Sequence, residues 1–383
     1  MSTTTNPILA IEQQFGQSIW MDNLSRNIIE SGELKSLIAE RGVVGITSNP
    51  AIFEKAIAGN QIYDADIETG IRGNRSVMEI YESLVFQDIR NACDVFQDVY
   101  QESKGLDGYV SIEVPPNISG DTEQTIAEAR RYATAIGRDN VMIKIPGTPE
   151  GLPAVEQVIS EGINVNVTLL FSVQSYIDTA WAYIRGLEKR VAAGQDISNI
   201  SSVASFFLSR IDVKIDKLLD AQITGLDDST AEQAVFLNNL KGKIAIANAK
   251  LAYQEYKEIF SSDRWKALVN KGANVQRLLW ASTGAKNPEY SDVMYVDELV
   301  GPDTVNTLPP ATIEACADHC DPASRIESDL AAAYAAIDGL EDVGINLDNI
   351  MAELLAEGID KFIKPFDSLM ESLSGKVKLL ATR

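Results

Sequence analysis

Eight times along the chain a short β-rich run is followed by a longer stretch of helical periodicity. The runs are Ser18–Asp22, Val43–Asn49, Tyr109–Val114, Val141–Pro146, Asn164–Leu170, Ser202–Leu208, Leu278–Thr283 and Thr304–Leu308. Between them, Ser76–Ser103, Ile118–Ile136, Ser172–Ala192 and Leu237–Phe260 carry apolar residues at helical spacing. Alternation of this kind builds parallel sheets, and at this number it predicts a sheet closed into a (β/α)8 TIM barrel. A doubly wound open sheet is the competing arrangement. From Pro322 onward the chain reads as helix without strands, ending in Ile350–Leu373. Residues 1–383 are therefore expected to form one α/β domain. Its strands lie between 18 and 308, with a helical extension over 322–383.

Charge narrows the function. Lys and Arg number 33 against 55 Asp and Glu, a net charge of −22, which leaves no general cationic field for nucleic acid or an anionic membrane. Any anionic substrate has to be held by a few local cations. Three Cys argue against a disulfide framework and for a reducing compartment. No run of 18 apolar residues occurs, and the first basic residue is Arg26, so neither a membrane span nor a targeting leader is expected. A cytoplasmic protein is the expectation. His319 is the only histidine, which leaves acid/base chemistry to Asp, Glu, Lys and Tyr.

The strands alternate in an informative way. Val110, Ile112 and Val114 share one face, and Tyr109, Ser111 and Glu113 the other. Val141, Ile143 and Ile145 oppose Met142 and Lys144; Val165, Val167 and Leu169 oppose Asn164, Asn166 and Thr168. If the apolar faces pack on outer helices, the barrel interior is polar toward the C-terminal strand ends. Barrel interiors are normally filled by Val, Ile and Leu, so converging polar groups suggest a site.

Lys144 is the most informative of these residues. Lysine is almost never fully buried without a partner. Here it sits between Ile143 and Ile145, so either it pairs with a carboxylate or its desolvated amine attacks a carbonyl to form a Schiff base. Glu113 faces the same interior one strand earlier, and Asp22 ends the first strand. Taken singly, each has a bland reading, an ion pair or a cap for a helix starting near Leu24. Three ionisable groups converging from three strands favour chemistry.

Other residues are more ambiguous. Asn49 before Pro50 suits a turn. Asn166 and Thr168 can bind substrate hydroxyls or one another. Arg210, at a strand end, suits a phosphate or an ion pair with Asp212. Ser282 and Lys286 follow the seventh strand, where barrel enzymes often hold phosphate. Cys316, His319 and Cys320 have helical i, i+3, i+4 spacing but lack an evident fourth metal ligand.

Several stretches together resemble the transaldolases, sugar-phosphate transferases of the pentose phosphate pathway. These are Trp20-Met-Asp22, Thr47-Ser-Asn-Pro50, Ser111-Ile-Glu113, Met142-Ile-Lys-Ile145, Asn166-Val-Thr-Leu-Leu-Phe-Ser172 and Ser205-Phe-Phe-Leu-Ser-Arg210. The Trp280–Pro288 segment and the helical tail look like the longer bacterial branch of that family. The resemblance implies a Schiff-base lysine at Lys144, an acid/base aspartate at Asp22 and a water-directing glutamate at Glu113. It puts substrate contacts at Asn49, Asn166, Thr168 and Ser205, a site aromatic at Phe207 and a phosphate arginine at Arg210. The family's second phosphate arginine has no counterpart; Gly284 lies near its place, and Lys286 is the nearest cation. The implied reaction moves a dihydroxyacetone unit between sugar phosphates. The imine is the electron sink, so no metal or organic cofactor is required. A Schiff-base aldolase and a sugar-phosphate binding protein are the alternatives, and self-association stays open.

Overall fold

The computed structural model describes residues 6–226 and 230–382. Eight parallel strands close into a barrel in chain order. They are β1 (Gln17–Asp22), β2 (Ile46–Thr47), β3 (Val110–Glu113), β4 (Val141–Pro146), β5 (Val165–Leu170), β6 (Ser202–Phe207), β7 (Arg277–Ala281) and β8 (Thr304–Leu308). The last strand pairs back onto the first, with Ser18 opposite Val305 and Met21 opposite Leu308. The barrel expectation holds, and the open sheet is excluded.

Helix starts follow local chemistry. Ser76 and Glu79 form a reciprocal cap at the start of Val77–Val95, and Asp121 caps Thr122–Ile136. Ser172 caps Val173–Ala192. The expected long helices are interrupted. Ser76–Ser103 breaks at Phe96, and Leu237–Phe260 becomes Ala231–Leu240 and Ile244–Ile259. Gly242 makes the second break with a φ of 68°, and its N–H donates to Asp216.

Two strand expectations change. The second strand is only Ile46–Thr47, because the chain leaves the sheet at Ser48 and turns into the helix Pro50–Ile57. Gly45 precedes it because Trp20 fills the space: a Cβ there would lie 2.6 Å from the indole. In β5 the alternation slips. Leu169 has a φ of 61° and the register shifts between Val167 and Leu170. Leu170, not Leu169, then continues the outer face beside Val167, against Gly147, while Leu169 turns toward Gly358 of the C-terminal helix.

The barrel interior is polar at its lower end as well. Arg277 of β7 donates to Ser18 Oγ at 2.7 Å and to Asp107 Oδ1 at 2.9 Å. Trp20 Nε1 donates to the same carboxylate oxygen at 2.8 Å, and Ser18 Oγ to the other. All four residues are buried. Outside the strands the apolar core is continuous, running from the barrel's outer face through the helices to Phe362, Phe366 and Leu369 of the C-terminal helix Leu347–Ala381. Among the described residues no helix is long and apolar enough to cross a membrane.

The lower network carries a prediction. Asp107→Ala leaves the Arg277 guanidinium buried without its counter-charge, which costs about 3–5 kcal/mol for a pair of this kind. Denaturant unfolding should show a loss of that order. A loss below about 1 kcal/mol, the range of exposed pairs, would mean that water reaches and solvates Arg277.

Candidate active site

A cleft opens at the C-terminal end of the barrel. Eight of the eleven candidate residues line it: Asp22, Asn49, Lys144, Thr168, Ser205, Phe207, Arg210 and Ser282. Parallel register is the reason they converge. Glu113 of β3 sits opposite Lys144 of β4, and Lys144 opposite Asn166 of β5. Asp22 of β1 sits opposite Thr47 of β2. Side chains of one parity along each strand share the barrel interior.

The Lys144 side chain is 5% exposed. Its Nζ donates to the Ser48 carbonyl at 2.9 Å and lies 3.6 Å from Glu113 Oε2. The Ser48 carbonyl is available because β2 has already ended, while Ser48 Oγ donates to the Ser111 carbonyl at 2.6 Å and pins that turn. Glu113 is just behind the cleft. Neither of its carboxylate oxygens has a hydrogen-bond partner among the described residues. Burial pushes its carboxyl up to about 7, although Lys144 and Arg210 pull the other way. A cavity of about 10 Å³ opens beside it between Tyr81, Tyr132 and Phe366, roughly the space that one water needs.

Asp22 does not cap a helix. Ser25 caps the next one, Arg26–Glu30, and Asp22 instead accepts from Thr47 Oγ1 at 2.8 Å. Burial raises its carboxyl above the ordinary range, opposed by Lys144, the Thr47 hydroxyl, Arg210 and Lys286. Burial thus acts on two carboxyls near one amine, and the neighbouring cations oppose it at both. Thr168 Oγ1 is buried without a hydrogen-bond partner among the described residues, and Thr168 lines the cleft. Ser205 donates to Asn166 Oδ1 at 2.6 Å, and Asn166 donates to Ser111 Oγ at 3.1 Å. Asn166 therefore lies beneath the cleft, with both ends of its amide engaged. Asn49 caps Pro50–Ile57 through its oxygen, at 3.1 Å from Ile52 N, and also borders the cleft.

Arg210 makes no ion pair with Asp212. Asp212 accepts instead from Ala245 N–H and from the Tyr295 hydroxyl, and Asp216 accepts from Tyr290. The Arg210 guanidinium stands 5.1 Å from the Phe207 ring centroid, and its Nη1 is buried without a hydrogen-bond partner among the described residues. An uncompensated guanidinium over an aromatic floor is suited to an incoming anion. Ser282, with a φ of 57°, shares a hydrogen bond of 2.9 Å with Ser209. Lys286 is exposed and outside the cleft lining, near Gly284. His319 turns outward to Asp292 and Asp318, whereas Cys316 and Cys320 are buried, so these three do not face a common point.

Sequence reasoning missed Phe362, Thr307 and the role of Thr47 as partner of Asp22. Thr47 has the same parity as Asn49 in the quoted motif, and that could have found it. Nothing local distinguishes Phe362 from the other apolar positions of its helix.

Residues 19–373 match the family described as Transaldolase/Fructose-6-phosphate aldolase. The chain belongs to the transaldolase family. Relatives include the transaldolase of Trichodesmium erythraeum, 69% identical over 98% of this chain and 99% of that one. Transaldolase 2 of a Nostoc species is 68% identical over the same shares. The transaldolase of Saccharopolyspora erythraea is 47% identical over 97% and 98%. The transaldolase family match runs through residue 373 and so takes in most of the C-terminal helix.

The raised Glu113 carboxyl predicts a pH effect with a definite sign. Between its unfolded value of 4.5 and about 7, the folded protein holds a proton that the unfolded chain has released. The stability this gives is full below 4.5 and is lost as pH rises through about 7. Glu113→Gln cannot lose that proton. It should gain on the wild type between pH 5 and 8 by something on the order of 3 kcal/mol. Parallel stability curves over that range would show that Glu113 does not titrate there.

Proposed function

We infer that the chain transfers a dihydroxyacetone unit from a ketose phosphate, sedoheptulose 7-phosphate or fructose 6-phosphate, to an aldose phosphate. The observation that carries the reading is the buried Lys144 amine, held by a carbonyl and flanked by two carboxyls, within a cleft that also holds the unpaired Arg210. Family membership supports sugar phosphates as substrates.

In this reading Lys144 attacks C2 of the ketose and loses water to form an imine. Glu113 holds and directs the water that shuttles protons during that step, consistent with its two unpartnered oxygens. Asp22 takes the proton of the C4 hydroxyl. The C3–C4 bond breaks, its electron pair flows into the protonated imine, and an aldose phosphate leaves. The enamine on Lys144 then attacks the aldehyde of a second aldose phosphate, and hydrolysis frees the product and the amine. Thr168, Ser205 and Asn49 bind substrate hydroxyls, and Asn166 orients Ser205. Arg210 holds the phosphate over Phe207, with Ser282 beside it and Lys286 adding charge at the rim. Each step draws on side chains of this chain alone, so the reaction needs no resident metal or organic cofactor.

Two measurements test this. Borohydride reduction in the presence of fructose 6-phosphate should fix an adduct on Lys144, seen by mass spectrometry of its peptide. Lys144→Ala should lose the adduct and lower turnover by orders of magnitude; an adduct on another lysine would overturn the assignment.

Arg210→Ala should lower kcat/KM for phosphorylated acceptors by about 2–3 kcal/mol, the worth of hydrogen bonds to a charged group. Unphosphorylated acceptors should lose much less, and Lys286→Ala should show the same selectivity more weakly. Equal losses for both acceptor types would assign Arg210 to the fold and not to the phosphate.

A further inference from the structure

The cleft has one wall that does not come from the barrel. Phe362, midway along the Leu347–Ala381 helix, lines it and is 4% exposed. Its ring centroid lies 5.8 Å from Lys144 Nζ and 5.9 Å from the Arg210 guanidinium carbon. One apolar ring therefore adjoins both the amine and the cation at the two ends of the site.

The helix is built to hold that ring in place. One turn before it, Gly358 meets Leu169, where a Cβ would come within 2.9 Å of the leucine and 3.5 Å of Arg210 Nη1. Leu169 is the residue that the β5 bulge turns out of the strand's outer face. One turn after it, Phe366 packs edge-on against Tyr81 at 5.5 Å and borders the cavity beside Glu113. Pro365 removes the N–H that would bond the carbonyl of Lys361, so the helix at this point depends on outside contacts. They are present on both sides. Lys214 pairs with Glu353 and Glu357 before the ring. Ser368 donates to Glu54, and Lys376 pairs with Asp64, after it.

An apolar ring against a reacting amine gains nothing as a hydrogen-bonding group, but it excludes water. Water decides the fate of the three-carbon intermediate. Protonation of the enamine carbon gives the imine of dihydroxyacetone. Addition of one water to that imine and cleavage of its C–N bond then releases free dihydroxyacetone and the amine. Transfer requires that this be slower than attack on an aldehyde acceptor.

We propose that Phe362 is a specificity-determining residue, the lid that keeps water from the intermediate on Lys144 and so commits the enzyme to transfer over release. The proposal rests on the Schiff-base reading of Lys144. Its test is the ratio of two rates in one preparation: dihydroxyacetone released from fructose 6-phosphate without acceptor, over transfer to erythrose 4-phosphate. Phe362→Ala should raise that ratio about tenfold and Phe362→Leu about threefold, since leucine keeps part of the bulk. Borohydride trapping on Lys144 should persist in both. If Phe362→Ala does not fold, Phe362→Leu decides alone. A merely structural role would lower both rates together, and an unchanged ratio with trapping intact would overturn the lid and leave the Schiff base standing. Absence of trapping on Lys144 in the wild type would overturn the Schiff base and the lid with it.

Discussion

Burying an amine inside a barrel is the constraint on which the rest of this structure depends. An unpartnered buried amine is costly, so Lys144 has to find oxygen ligands. The Ser48 carbonyl gives a neutral one at 2.9 Å, and Glu113 stands farther off at 3.6 Å. The short second strand follows from this, since Ser48 must leave the sheet to offer its carbonyl. So does the polarity of the interior, where Ser111, Asn166 and Ser205 are chained by hydrogen bonds one layer below. Apolar stabilisation is shifted outward to the strand–helix interface, where the core is continuous.

Two carboxyls stand near that amine, Glu113 on β3 and Asp22 at the end of β1. Burial raises both, and the cations oppose it. A second set of buried carboxyls works at a distance. Asp212 and Asp216 lie on the helix that begins beside Arg210 and tie it to Tyr295, Tyr290 and the start of Ile244–Ile259. Asp212 is engaged there, and among the described residues the Arg210 Nη1 has no hydrogen-bond partner, which leaves it open to an external anion.

Much of this was legible in the sequence, for a physical reason. A closed parallel barrel forces strict alternation, so Glu113, Lys144 and Thr168 could be assigned to the interior from parity alone. The strand limits were readable wherever the run was long, as in Val141–Pro146. Two kinds of feature were not. Backbone irregularities such as the Leu169 bulge break parity without any glycine or proline to mark them. Contacts across great sequence distance, such as Phe362 with Lys144, leave no local trace, because an apolar residue on an amphipathic helix looks alike whether it meets a core or a substrate cleft. Lys286 was expected beside the cleft and lies exposed outside it.

The strained backbone at the cleft has a consequence for substitution. Leu169 and Ser282, beside the site at the ends of β5 and β7, are two of the six non-glycine residues in the described chain with positive φ. Such residues cost roughly 1–3 kcal/mol each and persist only where their surroundings impose them. Glycine would relax the backbone at both positions, but at buried Leu169 the packing lost outweighs the strain relieved. The exchange would trade away Leu169's hold on the C-terminal helix and Ser282's hydrogen bond to Ser209, neighbour of Arg210. Relief of local strain and retention of these contacts thus pull on the same two residues in opposite directions.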